Sequence, residues 1–202
     1  MNKLVYLLLF GIQFSVFSQE SYEDSLRSER VKHFSELTDS SKHILNKEEI
    51  ANLFALDYFQ IDKKNVVTAF FTVDKGKKFK MKTSTARTPI YRRYGYLDFE
   101  INGKKVRLTA FQNMELKRKK EYKKHLFVPF SDLTSGEITY GGGRYIDLKI
   151  PQGTTIKIDF NTAYNPYCVY SHRYSCPIPP IENKLDVKIE AGEKTPKMNH
   201  EY

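Results

Sequence analysis

The chain has 202 residues, enough for one ordinary domain with a real core and too few for two comfortable ones. Its 33 Lys and Arg against 24 Asp and Glu leave a net charge of +9, a surplus that favours contact with anionic surfaces. Two cysteines can staple a loop but not build a fold, and beyond the N-terminal segment no apolar run approaches a membrane span.

Residues 1–18, MNKLVYLLLFGIQFSVFS, carry one positive charge at Lys3, an apolar run from Leu4 into Val16 and a small residue at Ser18. This is the pattern of a secretory signal removed after Ser18, leaving Gln19 as the mature N-terminus of a periplasmic or secreted protein. Gly11 and Gln13 interrupt the run, which is shorter than a spanning helix needs. Next, Tyr22, Leu26, Phe34 and Leu37 recur at near-helical spacing, with Val31 one position off, and Ser21 with Asp24 resembles a capping box. A second short helix is expected over Lys47 to Phe54, with Asn46 as N-cap and Glu48 and Glu49 at the positive end of the dipole.

After Asp57 the texture changes to β-branched and aromatic residues between turn signals, and the rest reads as sheet. The expected strands are Tyr58 to Ile61, Val66 to Val73, Phe79 to Thr83, Pro89 to Ile101, Lys104 to Gln112, Leu126 to Val128, Tyr145 to Ile150, Thr155 to Phe160 and Leu185 to Ile189. Asn102-Gly103 is the strongest hairpin signal, because both central positions of a two-residue turn favour positive φ. Two basic runs, DKGKKFKMK and ELKRKKEYKKH, suit solvated loops or strand ends better than a nucleic-acid stripe, and export argues further against nucleic acid.

Two segments break the strand pattern. SDLTSGEITYGGGRY holds the glycine run Gly141 to Gly143, which lacks the spacing and following helix of a nucleotide loop and is expected to be a tight turn delivering Arg144 and Tyr145. DFNTAYNPYCVYSHRYSCPIPPIENKL holds both cysteines, His172 between them and prolines that forbid regular ladder pairing. In an exported chain Cys168 and Cys176 favour a disulfide, worth about 2–3 kcal/mol for so short a loop. Two sharper alternatives stay open: a Cys168 nucleophile with His172 as base and Asp159 or Asn161 as orienter, and a metal site using Cys168, His172 and Cys176 in a spacing foreign to common zinc knuckles. The polar residues Arg144, Asp159, Asn161, Asn165, Asn183 and Glu190 interrupt apolar patterns and must meet partners, either bracing the proline loop or facing a ligand.

Four segments, LFALDYFQID, RRYGYLDFEINGKKVRLTAFQ, LFVPFSDLTSGEITYGGGRYIDL and DFNTAYNPYCVYSHRYSCPIPPIENKLDVKIEAGEK, resemble in order the domain-of-unknown-function family 1684, over roughly Tyr22 to Lys194. The resemblance brings no established activity. It implies that the signatures at Phe130 to Arg144 and Asp159 to Asn183 belong together, and that paired cysteines also occur in members without an export signal. Such a pair would be redox-active or metal-linked rather than a simple staple.

The chain is therefore expected to be a mainly β domain over residues 19–194, an antiparallel sandwich or partly closed barrel after an N-terminal helix, with a disordered tail at 195–202. The two irregular loops should lie side by side at one end. There they would bind a small ligand or an envelope component through Arg144, Tyr140, Asn161, Tyr164 and Asn165, with no cofactor or metal. The alternative is a hydrolase or thiol-dependent enzyme using Cys168, His172 and Asp159.

Overall fold

The computed structural model of the protein describes residues 21–198. The signal segment 1–18 lies outside the described residues. Helix α1, Tyr22–Thr38, starts where Ser21 accepts the Asp24 amide at 3.2 Å and returns its hydroxyl to the Asp24 carboxylate at 2.6 Å. It buries Leu26 and Leu37, while Val31 faces solvent, consistent with its offset from the helical spacing. Helix α2, Lys47–Asn52, carries a full capping box between Asn46 and Glu49.

The remainder is a curled antiparallel sheet forming a half-barrel. Its strands are β2 Val66–Val73, β3 Lys78–Lys80, β4 Ile90–Ile101, β5 Lys104–Asn113, β6 His125–Phe130, β7 Arg144–Lys149 and β8 Thr155–Asp159, after the short β1 Leu53–Ala55. The spatial order is β7-β6-β5-β4-β2-β8, with β3 on β4. The β4–β5 hairpin turns at Asn102 (φ 50°) and Gly103 (φ 73°), both in the left-handed region that an Asn-Gly turn uses. Residues 195–198, expected to be tail, include β9 (Lys197–Met198), which pairs with β1. The rest of that tail lies outside the described residues.

Alternation places two apolar sets on opposite sheet faces. Leu97, Leu108, Leu126, Val128, Ile146 and Ile158 form the main core with Leu185, Val187 and Ile189. Tyr91, Phe111, Phe127 and Tyr145 form a second cluster with Met81 and Cys176. The first face is covered by residues 183–193 and the second by the proline loop.

Two expected strands do not form. At 58–61 only Tyr58 bridges, to Glu193. Leu185 to Ile189 alternates in burial as a strand does, but its main-chain bonds are divided: Leu185 N donates to Ser131 O at 2.8 Å and Val187 O accepts from Leu133 N at 3.1 Å, while side chains take the rest, Lys104 reaching Asp186 O at 2.7 Å, Asn102 reaching Lys188 O at 2.9 Å and Asp132 accepting the Ile189 amide at 2.6 Å. Asn183 does the same for the sheet. Strands β5 and β6 register only at Phe111 and Phe127, and the buried Asn183 amide accepts from Thr109 N at 2.7 Å while donating to Thr109 O at 2.9 Å and Pro129 O at 2.7 Å. Pro129 has no N–H for a ladder, so a side-chain amide stands in for missing strand bonds. Each such group left unpaired would cost about 1–3 kcal/mol.

Candidate functional site

The glycine and proline loops do come together. Gly143 sits at φ 84°, and a Cβ there would lie 2.5 Å from Phe130 O and 2.7 Å from Pro179 Cγ, so only glycine lets the two segments approach. Beyond it Tyr145 and Tyr164 exchange main-chain hydrogen bonds of 2.9 and 3.1 Å, and the Tyr145 hydroxyl donates to Pro177 O. The strip Lys82–Ser84 ties the other side: Ile178 N reaches Lys82 O, Ser84 N reaches Cys176 O, and Cys176 N reaches the Ser84 hydroxyl.

Here lie the two cysteines, and both are free thiols not at disulfide distance. The expected staple is replaced by a hydrogen-bonded pair: the Cys168 amide donates to Cys176 Sγ at 3.2 Å, and Tyr140 Oη lies 4.0 Å from Cys168 Sγ. Cys168 is half-buried, and hydrogen bonds from the Cys176 thiol, then from Tyr140 and Ser84, outweigh burial and push it down to about 6. The same bond with Cys168, aided by burial, pushes the Cys176 thiol up. Tyr140 is pushed up to about 12, by burial and by the neighbouring Cys168. One thiol is thus poised as thiolate and its neighbour held protonated.

His172 lies in an exposed turn. Asp159 is engaged elsewhere: Oδ2 accepts from Tyr22 Oη at 2.7 Å, and Oδ1 accepts from the amide and side chain of Asn161, each at 3.0 Å. Asn161 in turn holds the Asp62 backbone, so this pair anchors α1 and the β8 terminus. Among the described residues no group of three or more His, Cys, Asp or Glu could hold a metal, so Cys168, His172 and Cys176 do not form such a site.

Arg144 and Asn165, expected at a ligand face, are enclosed. Arg144 is 1% exposed and donates to Ile189 O at 3.0 Å, Glu193 O at 3.3 Å, Ala191 O and, at 3.5 Å, the buried Asp132 carboxylate. Burial pushes its guanidinium down to about 10 against the pull of Asp132 and Glu193. Asn165 donates its amide to Glu193 Oε2 at 2.9 Å and its side chain to Lys194 O at 2.7 Å, and Tyr170 Oη donates to the other Glu193 oxygen. This network holds the covering segment against the sheet.

The open ground lies on either side of Tyr164. A cavity of about 340 Å³ is lined by Arg30 and His33 of α1, Tyr58 and Asn161; another of about 350 Å³ runs under the proline loop. They share Asp147, Tyr164 and Tyr167 as a common wall. Asp147 accepts from Tyr164 Oη at 2.8 Å and pairs with His125 Nε2 at 2.8 Å. Of the residues expected at a ligand site, Tyr164 and Asn161 border this ground. Sequence reasoning missed Asp147, His125 and Tyr167. Their trace was the period-two pattern of β6 and β7, where His125, Phe127, Tyr145 and Asp147 occupy the face opposite Leu126, Val128, Ile146 and Leu148. Apolar or aromatic residues on both faces of adjoining strands announce a second buried layer.

Three comparisons bear on these features. The model of a family described as "Protein of unknown function (DUF1684)" matches residues 52–194. No curated protein matches the chain. The solution NMR structure of an uncharacterized protein from Haloarcula marismortui superposes with a TM-score of 0.65 at 34% sequence identity, covering 86% of this chain and 94% of that one.

Proposed function

We propose, from the premise that this chain belongs to the DUF1684 family of proteins of unknown function, that it is an exported domain binding a small organic ligand beside its joined glycine and proline loops. The observation that carries this reading is the pair of cavities sharing the Asp147–Tyr164–Tyr167 wall. Each has the volume of a small-ligand pocket, and each combines ring faces with a few convergent polar groups. The enclosed Arg144 and Asn165 support such a site from behind, as positioning residues that keep the two loops in register. Among the described residues no helix is long and apolar enough to cross a membrane.

A fragment screen by protein-observed NMR tests the binding reading. Hits should shift the amides of Asp147, Tyr164 and Tyr167, and Tyr167→Ala, a change at a partly exposed residue that leaves the core intact, should weaken them about tenfold, in line with loss of an aromatic contact. Hits confined to other surfaces, or none, refute it. Export rests on the apolar run after Lys3, and mass spectrometry of the protein secreted from its expression host should find Gln19 at the N-terminus. An intact Met1 in the cytosolic fraction refutes export.

A second reading has its own observation. The thiol of Cys168, pushed down to about 6 beside Tyr140 and Cys176, supports thiol-dependent chemistry in which the Tyr140 hydroxyl is a neighbouring proton donor.

A further inference from the structure

We propose that the cavity under the proline loop is an aromatic cage for an organic cation, an alkylammonium head group in particular. The proposal rests on the small-ligand reading above and names the class of ligand for one of its two cavities.

The rim is a continuous chain of contacts. The Tyr91 and Phe127 rings lie 5.7 Å apart, Phe127 meets Tyr145 at 4.7 Å nearly edge-to-face, and Tyr145 meets Tyr164 at 5.8 Å and 88°. The chain continues from the Tyr164 hydroxyl to Asp147, from Asp147 to His125, and from His125 to the Tyr122 ring at 5.6 Å and 87°. These residues line the same volume of about 350 Å³. In such an arc successive rings are turned against one another, as aromatic quadrupoles prefer.

The charge inside points one way. In a chain with 33 Lys and Arg, none lines this cavity, and Asp147 is its one carboxylate. Burial, first among the causes, raises the phenols of Tyr91, Tyr145, Tyr164 and Tyr167, so the rings stay neutral and present a quadrupole rather than a second anion. A cation over such rings is attracted electrostatically, more strongly as it sheds water. The neighbouring cavity is unlike it, because Arg30 and a second carboxylate, Glu29, line it. Two opposing effects are present: His125 pairs with the Asp147 carboxylate at 2.8 Å, and the basic run between β5 and β6 contributes Leu116 and Tyr122 to the wall while carrying exposed lysines. Salt screens those charges and the exposed Asp147 carboxylate alike over about 8–10 Å, whereas the buried rings of Tyr91, Phe127 and Tyr145 are screened less. The two screened effects oppose one another and the ring attraction remains, so cation affinity should change little with ionic strength.

Calorimetric titration of the mature chain with three probes of one shape, choline, its neutral carbon isostere dimethylbutanol and the anion dimethylbutanoate, decides the matter. Choline should bind about tenfold more tightly than the alcohol and keep its affinity from low to physiological salt. Asp147→Asn should weaken choline about tenfold more than it weakens the alcohol, and Tyr122→Ala, at a partly exposed ring, should weaken choline about fivefold with the thermal midpoint of the domain retained. Alcohol binding as tight as choline binding overturns the cation class and leaves the small-ligand reading standing. Preferential binding of the anion, fading with salt, overturns it in favour of the basic run. Fragment hits in the cavity with no response to any of the three probes also overturn it, whereas an absence of fragment hits removes the small-ligand reading itself.

Discussion

Replacing Arg144 with alanine is expected to destabilise the domain by about 3–5 kcal/mol, the cost of breaking a buried ion pair from one side. The side chain is 1% exposed and its partner Asp132 is fully enclosed, so the carboxylate would lose its counter-charge in a place water does not reach. The carbonyls of Ile189, Ala191 and Glu193 would lose their donor as well. Those carbonyls belong to a segment paired only by an isolated bridge from Glu193 to Tyr58, so the guanidinium fork supplements its main-chain bonding there. Native domains are stable by about 5–15 kcal/mol, so the loss removes a large part of the total. Chemical denaturation should show the urea midpoint falling by about 2 M at a slope near 2 kcal/mol/M. Arg144→Lys keeps the charge without the planar fork and should recover only part of the loss. A loss under about 1 kcal/mol for alanine, or full recovery by lysine, would refute the assignment of Arg144 to the covering segment.

Alkylation of Cys168 should rise with pH through about 6 and level off above 7, where an ordinary cysteine keeps accelerating toward 9. The direction follows from the thiolate being the nucleophile: hydrogen bonds from Cys176, Tyr140 and Ser84 favour the charged form, so it is populated at lower pH. At pH 6 about half of Cys168 would be thiolate against about 0.3% of a free thiol, a ratio of about 150. A less basic thiolate is about tenfold less nucleophilic, which leaves about a fifteenfold advantage. Iodoacetamide rates read by mass spectrometry between pH 5 and 9 measure this. Cys176→Ala removes the largest of the three hydrogen bonds and should move the midpoint up further than Tyr140→Phe does. A midpoint near 8.5 would remove the thiol reading. Protection of both residues until a reductant is added would restore the disulfide expected of an exported chain.

The two expectations differ in how far they could be read from residues alone. Cys168 and Cys176 stand out by type and by the prolines around them, but their state depends on Tyr140 from the glycine loop and Ser84 from the strip after β3. Arg144 was visible as a charge in an apolar pattern, yet ligand face and buried brace look the same until the covering segment is placed over it. Asp159 and His172 flank Cys168 in sequence, but Asp159 serves Tyr22 and Asn161, while His172 lies in an exposed turn. Nearness along an irregular loop says little about nearness in space, because no repeating geometry relates one residue to the next.

What the residues settled unaided is local. Ser21 and Asn46 cap helices within one turn of themselves, Asn102-Gly103 closes a hairpin between adjacent strands, and the period-two runs of β2, β4 and β5 mark their own two faces. Each is decided by backbone torsions and side-chain spacing over a few residues. The tertiary structure alone decided which polar groups were walled in and which lined open space. Asp147 meets His125 across two strands and Tyr164 across a loop, and Arg144 finds its acceptors more than forty residues downstream. Such pairings follow from how the sheet curls and from which segment covers each face. These are properties of chain closure, and no window of neighbouring residues contains them.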